Sequence, residues 1–356
     1  MLLDHGIVFT EAGRFAGWPA NNGVWMWDGM EILVGFTTGD YVVSAGHNIG
    51  MPYQNRLARS PDGGVSWHVE SPENFVGSCY ELLPVADKID FAHPDFAMRV
   101  EGDAYHGSEE KRGGFFFSYD PGKTWQGSYG FKGLVDLPQL AGAEMTPRTD
   151  YVVNGPDDCL VFLSARSAEQ WGADRTFCMR TTDGGVTFDF VAWVVPPSDP
   201  YRAVMPSTVR CSLKTLVSAL RRRNMNDADA DCWIDAYVST DAGSSWAFLS
   251  RIGETGAHNG NPPALVRLRD GRLCCVYGQR NRRQLIVRYS QNEGVSWSDE
   301  RALRDDYASM QDDQDFGYPR LVQRADGCLV TMYYWVTEAR PHQHIAATIW
   351  EPNNHG

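Results

Sequence analysis

Periodic apolar stripes with caps at their ends, the mark of helices, are nearly absent from this sequence, which argues against a bundle or an α/β fold. An excess of positive charge is missing too. The 32 Lys and Arg stand against 45 Asp and Glu, a formal net charge of −13, so the chain lacks the basic face that nucleic acid or an anionic membrane would require. No apolar run approaches the roughly 20 residues of a membrane helix. The opening MLLDHGIVF has neither the basic start, the long apolar stretch nor the small-residue cleavage site of a secretory signal. As written, the chain is expected to be soluble and cytoplasmic, or secreted or periplasmic if a signal has been removed. Its eight cysteines show no zinc-ligand spacing, and several lie in apolar runs such as CLVFL (Cys159) and RLCCVYG (Cys274, Cys275). They read as reduced, buried thiols, and neither a metal nor a cofactor is expected.

What is present is repetition. SPDGGVSW at Ser60 returns as SYDPGKTW at Ser118, TTDGGVTF at Thr181, STDAGSSW at Ser239 and SQNEGVSW at Ser290. Copies about 50 to 65 residues apart suit four short strands and their loops per unit. Within units, PALVRLRDGRLCCVYG (263–278) and PRLVQRADGCLVTMYY (319–334) are paired alternating runs joined at Asp-Gly, and STVRCSLKTLVSALR (207–221) is a weaker copy. A sixth unit without the phrase fits after Trp297 and ends in HIAATIW. Six four-stranded units that cannot bury both faces alone predict an all-β, six-bladed propeller, one domain over residues 1–356. The run GIVFTEAG is the expected outer strand completing the last blade. The Asp of each phrase (Asp62, Asp120, Asp183, Asp241, with Asn292 in the fifth copy) is expected to tie a turn, not to catalyse.

The phrases match the Asp-box, S/T-x-D-x-G-x-T-W/F, and in its ordered copies the chain resembles the sialidase-like propeller superfamily from about residue 10 to 350. In sialidases the pattern is an arginine triad for a carboxylate, a Tyr nucleophile assisted by Glu, and an Asp acid/base. The resemblance implies Arg14, Arg221 and one of Arg280, Arg282 or Arg283 as the triad and Tyr318 in GYPRLV as the nucleophile. It departs at two points. Met205 stands where the Glu before PSTV belongs, and the segment ahead of the first Asp-box offers His47 and no Asp. The wording WPANNGVW, GHN and RTDYVV is similar to Asp-box proteins labelled sialidase-like, and in style to rhamnosidase and uronate-lyase propellers that employ His, Tyr and Arg.

In a propeller, residues at the starts of inner strands converge although remote in sequence. Those starts supply Arg14, Trp18 and His47, then His93, Arg148 and Asp150, then Met205 and Arg221, then Asn261 and Arg280, and last Tyr318. Asp150, His47, His93 and Tyr318 are the catalytic candidates. Arg14, Trp18, Arg148, Arg221, Arg280 and Asn261 are the substrate-binding ones, since guanidinium forks suit a sugar carboxylate or sulfate and indole suits a sugar face. His106, His258, His342 and His344 could share the rim, and Asp312, Asp313 or Asp315 could supply a carboxylate. Hydrolysis needs an acid opposite a base or nucleophile. β-Elimination needs a base, an acid and a cation for the enolate. A glycoside hydrolase on an anionic or rhamnose-containing glycan is the first expectation. A polysaccharide lyase or a non-catalytic glycan-binding propeller is the alternative.

Overall fold

The computed structural model describes residues 3–44, 46–72, 75, 82–101, 113–134, 137–146, 148–167, 173–225, 231–257, 259–311 and 313–352. The fold is all-β, a six-bladed β-propeller, and its six sheets follow the Asp-box spacing. The first is ordered Arg14–Gly17, Glu31–Tyr41, Ile49–Ser60, His68–Glu70, with Val24–Trp27 also pairing to the second strand. The second runs Ala97–Glu101, Gly114–Ser118, Gln126–Gly130. The third is Glu144–Thr146, Asp158–Arg166, Asp174–Thr181, Asp189–Trp193, with Tyr151–Gly155 also on its second strand. The fourth is Arg202–Arg210, Leu216–Arg223, Cys232–Ser239, Ala247–Gly256, and the fifth Ala264–Arg267, Leu273–Gln279, Gln284–Ser290, Arg301–Arg304. The sixth is Gly317–Gln323, Leu329–Thr337, Arg340–Trp350 and, outermost, the N-terminal strand Leu3–Phe9, antiparallel to Arg340–Trp350. The N-terminal strand therefore completes the last blade as expected. No described helix is long and apolar enough to cross a membrane.

Two compact units make up the chain. One comprises residues 1–71, 228–234 and 250–356, the other 72–227 and 235–249. The first unit's core gathers alternating apolar residues of the fifth and sixth blades, among them Leu285, Tyr333, Trp335 and Trp350. The second has clusters around Phe115, Val161 and Phe177, and around Phe162, Leu220 and Tyr237. Six of the seven described cysteines are buried.

Each Asp-box folds by short-range hydrogen bonds from its own letters. Asp62 Oδ1 accepts the Ser60 hydroxyl at 2.8 Å and the Ser66 amide at 2.9 Å, and Oδ2 accepts the Ser66 hydroxyl at 2.6 Å. Ser60 Oγ in turn accepts the Gly64 amide at 2.7 Å, and the Trp67 indole donates to the Gly64 carbonyl at 3.0 Å. The carboxylate pattern recurs at Asp120, Asp183 and Asp241. Asn292 shows why an amide can replace it: Oδ1 accepts from Ser290 and Ser296, and Nδ2 donates to the Ser296 hydroxyl at 2.9 Å. These residues bind their own turns, in keeping with a structural role.

Candidate functional site

Three X-Pro dipeptides at blade entrances share an uncommon backbone. Trp18, Met205 and Tyr318 have φ of 60°, 58° and 48°, the left-handed region, and each precedes a proline. A proline disfavours helical conformations in the residue before it, and a non-glycine left-handed residue costs on the order of 1–3 kcal/mol unless its surroundings hold it. At two of the sites the strand bulges. Gly317 pairs with Tyr334 and Arg320 with Met332, so one extra residue is inserted at Tyr318-Pro319; Val204 with Arg221 and Ser207 with Ala219 do the same at Met205-Pro206. A buried polar side chain pins each dipeptide: Asn22 Nδ2 on the Trp18 carbonyl (3.2 Å), Arg148 Nη1 on the Met205 carbonyl (2.7 Å), and Asn261 Oδ1 on the Tyr318 amide (2.8 Å).

In the first unit, Trp18, His47, Arg280, Asp315, Tyr318 and Tyr334 come together. His47 Nδ1 meets Asp315 Oδ1 at 2.7 Å, and the Tyr334 hydroxyl donates to the same oxygen at 2.5 Å. Asp315 is 2% exposed and His47 36%, so the pair runs from the interior to the surface. Burial disfavours the imidazolium, but the charge and hydrogen bond of Asp315 outweigh it and raise the pKa of His47. Burial likewise opposes ionisation of Asp315, yet His47, Arg280 and Tyr334 hold its pKa below the ordinary value. Tyr334, buried against that carboxylate, is pushed far up and stays a phenol. The His47 ring is edge-on to Trp18 at 4.9 Å and to Tyr318 at 6.2 Å, and Tyr318 lies 5.8 Å from Tyr334. A second link joins the same two loops: Asp313 accepts from Asn48 Nδ2 and from the Tyr307 hydroxyl, each at 2.5 Å.

Arg280 completes the group. It is 5% exposed, and burial that would lower its pKa is overcome by Tyr334, Asp315 and Tyr318, so it stays a cation. No described carboxylate forms an ion pair with it, and its Nε has no hydrogen-bond partner among the described residues. The same holds for the indole N–H of Trp18 and for Asp315 Oδ2. A buried cation, a donor and an acceptor with capacity to spare, beside a His–Asp pair and a kinked tyrosine, can bind a polar anion and move a proton.

The other residues singled out in the sequence lie elsewhere or have other partners. Arg14 forms an ion pair with Asp40 at 2.5 Å. Asn261 is wholly buried, its amide spanning the Phe316 carbonyl and the Tyr318 amide. In the second unit, Arg148 and Arg221 both engage Met205, the latter through Sδ at 3.5 Å, and Asp150 accepts the Thr208 amide and hydroxyl. His93 accepts the Asp95 amide and packs 4.7 Å from Tyr119. His342 stacks on Tyr41, and His344 is buried with its pKa lowered to about 4 by burial first of all. Among the described residues no group of three or more His, Cys, Asp or Glu side chains could hold a metal. His106, His258 and Asp312 lie outside the described residues. Tyr334 was missed because TMYYW reads as a core strand; its signal is register, since it pairs with Gly317 beside Tyr318.

A family model described as a BNR repeat-like domain matches residues 96–332. Among curated proteins no sequence matches. Solved structures do. A protein of unknown function from Dyadobacter fermentans is 18% identical with a TM-score of 0.69, over 99% of both chains. A Penicillium chrysogenum α-L-arabinanase, solved with arabinobiose, is 12% identical with a TM-score of 0.60, over 98% of this chain and 97% of its own. A Hadza microbial sialidase is 13% identical with a TM-score of 0.58, over 95% of this chain and 66% of its own. At such identities the likeness is one of fold.

Proposed function

The chain belongs to the BNR repeat-like family, and on that premise we propose that it is a carbohydrate-active enzyme that hydrolyses a glycoside of an anionic sugar. The observation carrying this reading is Arg280, a buried guanidinium with no ion pair among the described residues, beside His47–Asp315 and Tyr318. A desolvated cation gains most from a partner that brings its own charge, and a sugar carboxylate accepts two parallel guanidinium hydrogen bonds. Trp18 contributes an indole N–H for a hydroxyl. Tyr318 attacks the anomeric carbon as its phenolic proton passes to His47, whose imidazolium Asp315 orients and stabilises. Backside attack puts the departing oxygen on the far face of the sugar, where it takes a proton from a water; the hydroxide so formed attacks the anomeric carbon of the aryl glycoside, and His47 returns the phenolic proton to Tyr318, so the net reaction consumes one water. The raised pKa of His47 suits the donating step.

A second reading is favoured by a specific observation: Asp315, the carboxylate at the centre of this group among the described residues, is engaged by His47 and Tyr334. His47, Tyr318 and Arg280 are also the base, acid and enolate-stabilising cation of a uronate β-elimination. Incubation with sialosides, rhamnosyl-uronate oligosaccharides and sulfated or uronate polysaccharides separates the two. Reducing ends without ultraviolet absorbance support hydrolysis; absorbance of an unsaturated product supports elimination. Binding without either product refutes both and leaves a glycan-binding propeller.

A further inference from the structure

Resting on the reading of Tyr318 as the nucleophile, we propose that Asn261 is a positioning residue for it, holding the kink that aims the phenol, and is not a contact for the sugar. Asn261 is 0% exposed, and both ends of its amide are used on one short piece of backbone. Nδ2 donates to the Phe316 carbonyl at 2.7 Å, and Oδ1 accepts the Tyr318 amide at 2.8 Å. The residue between them, Gly317, has φ of 100°, and a Cβ there would come within 2.4 Å of Oδ1. A Cβ on Gly278, in the neighbouring blade, would come within 2.7 Å of Nδ2. Two glycines from different blades thus make room for one carboxamide. That carboxamide ties the backbone on both sides of Gly317.

Tyr318 is the residue for which this matters. Its φ of 48° ahead of Pro319 is not a conformation a tyrosine keeps unaided. Trp18 and Met205 share it, but there the pinned group is the residue's carbonyl, by Asn22 and Arg148. At Tyr318 the side chain holds the amide instead, so freeing it lets φ relax. Rotation about φ swings the Cα–Cβ bond and carries the phenol away from His47 and Arg280.

The test is Asn261→Asp. At neutral pH the carboxylate still accepts from Tyr318 but turns a lone pair toward the Phe316 carbonyl; once protonated, it donates there and restores both bonds. For the best glycan found, kcat at pH 7 is expected to fall on the order of 10²-fold, the cost of a misplaced reacting group, with KM changed by less than about 3-fold. The ratio of variant to parent kcat should then climb as pH falls, which loss of packing alone would not produce. A kcat near that of the parent at pH 7, or a loss confined to KM, overturns the proposal. Crystal structures of the parent, Asn261→Asp and Asn261→Ser at pH 7 decide it without any substrate: Tyr318 is expected to leave the left-handed region, and an unmoved Tyr318 refutes the role. If the parent cleaves no glycan, the hydrolase reading fails while this arm still judges Asn261.

Discussion

Replacing Asp62 by Asn and by Ala isolates what an Asp-box carboxylate contributes. Burial opposes its ionisation, yet hydrogen bonds from the Ser66 side chain and backbone, Ser60 and Val65 lower its pKa from 3.8 to about 2. At about 1.4 kcal/mol per pKa unit that is roughly 2.5 kcal/mol, which exposure of the turn reduces to about 1–2 kcal/mol. Because the folded pKa is depressed, this stabilisation is complete above pH 3.8 and is lost as pH falls through about 2. Asp62→Ala should cost about 1–2 kcal/mol at pH 7, since it also leaves the Ser60 and Ser66 donors without their acceptor. Asp62→Asn should cost under about 0.5 kcal/mol, because Asn292 already makes the same turn with an amide. Urea unfolding of the three proteins from pH 2 to pH 7 is the assay. The parent's acid-dependent loss should be smaller in both variants, and turnover of folded protein should be unchanged. An Asn variant as unstable as the Ala variant would refute the reasoning, as would a folded Ala variant without activity.

Three further outcomes are expected. Deleting residues 1–12 removes Val8 and Phe9 from the core and bares the strand Arg340–Trp350, so thermal unfolding should show a loss of several kcal/mol, about 1.5–3 per buried side chain; an unchanged melt contradicts the closure of the last blade. Asp315→Asn should lower kcat on the order of 10²–10⁴-fold, with the His47 titration, followed by NMR, moving down; an unmoved titration would show that the carboxylate does not govern the imidazole. The same pair should make stability bell-shaped in pH. Its contribution is full between the ordinary carboxylate and histidine pKa values, and is lost below as Asp315 protonates at its depressed pKa and above as His47 deprotonates at its raised one; Asp315→Asn should flatten both limbs of a denaturation profile.

The architecture was legible because Asp-boxes are local: each phrase folds on its own hydrogen bonds and marks one blade, and the orphan GIVFTEAG had a single edge to join. The site was legible only in part, because its members meet through loops whose paths no periodicity encodes. Trp18, His47, Arg280 and Tyr318 were picked from strand entrances, and they do gather. Asp315 was one of three acidic candidates in a polar loop, and Tyr334 was hidden in an apolar run. Arg14, expected from its place ahead of the first blade, pairs with Asp40, a neighbour across the strand pair Arg14–Gly17 and Glu31–Tyr41. Arg148 and Arg221, expected as sugar ligands, each bond Met205, which stands at a strand entrance where the resembled pattern has Glu.

The most direct test of an anionic-sugar site at Arg280 is kcat/KM for the best glycan and for its carboxyl-reduced analogue, measured with the parent and with Arg280→Lys. A guanidinium clamped on a carboxylate predicts that the parent prefers the acid by on the order of 1–3 kcal/mol, about 5- to 150-fold, and that lysine, keeping the charge without the fork, loses most of that preference. Equal kcat/KM for the two glycans with the parent, or an undiminished preference in Arg280→Lys, would contradict it.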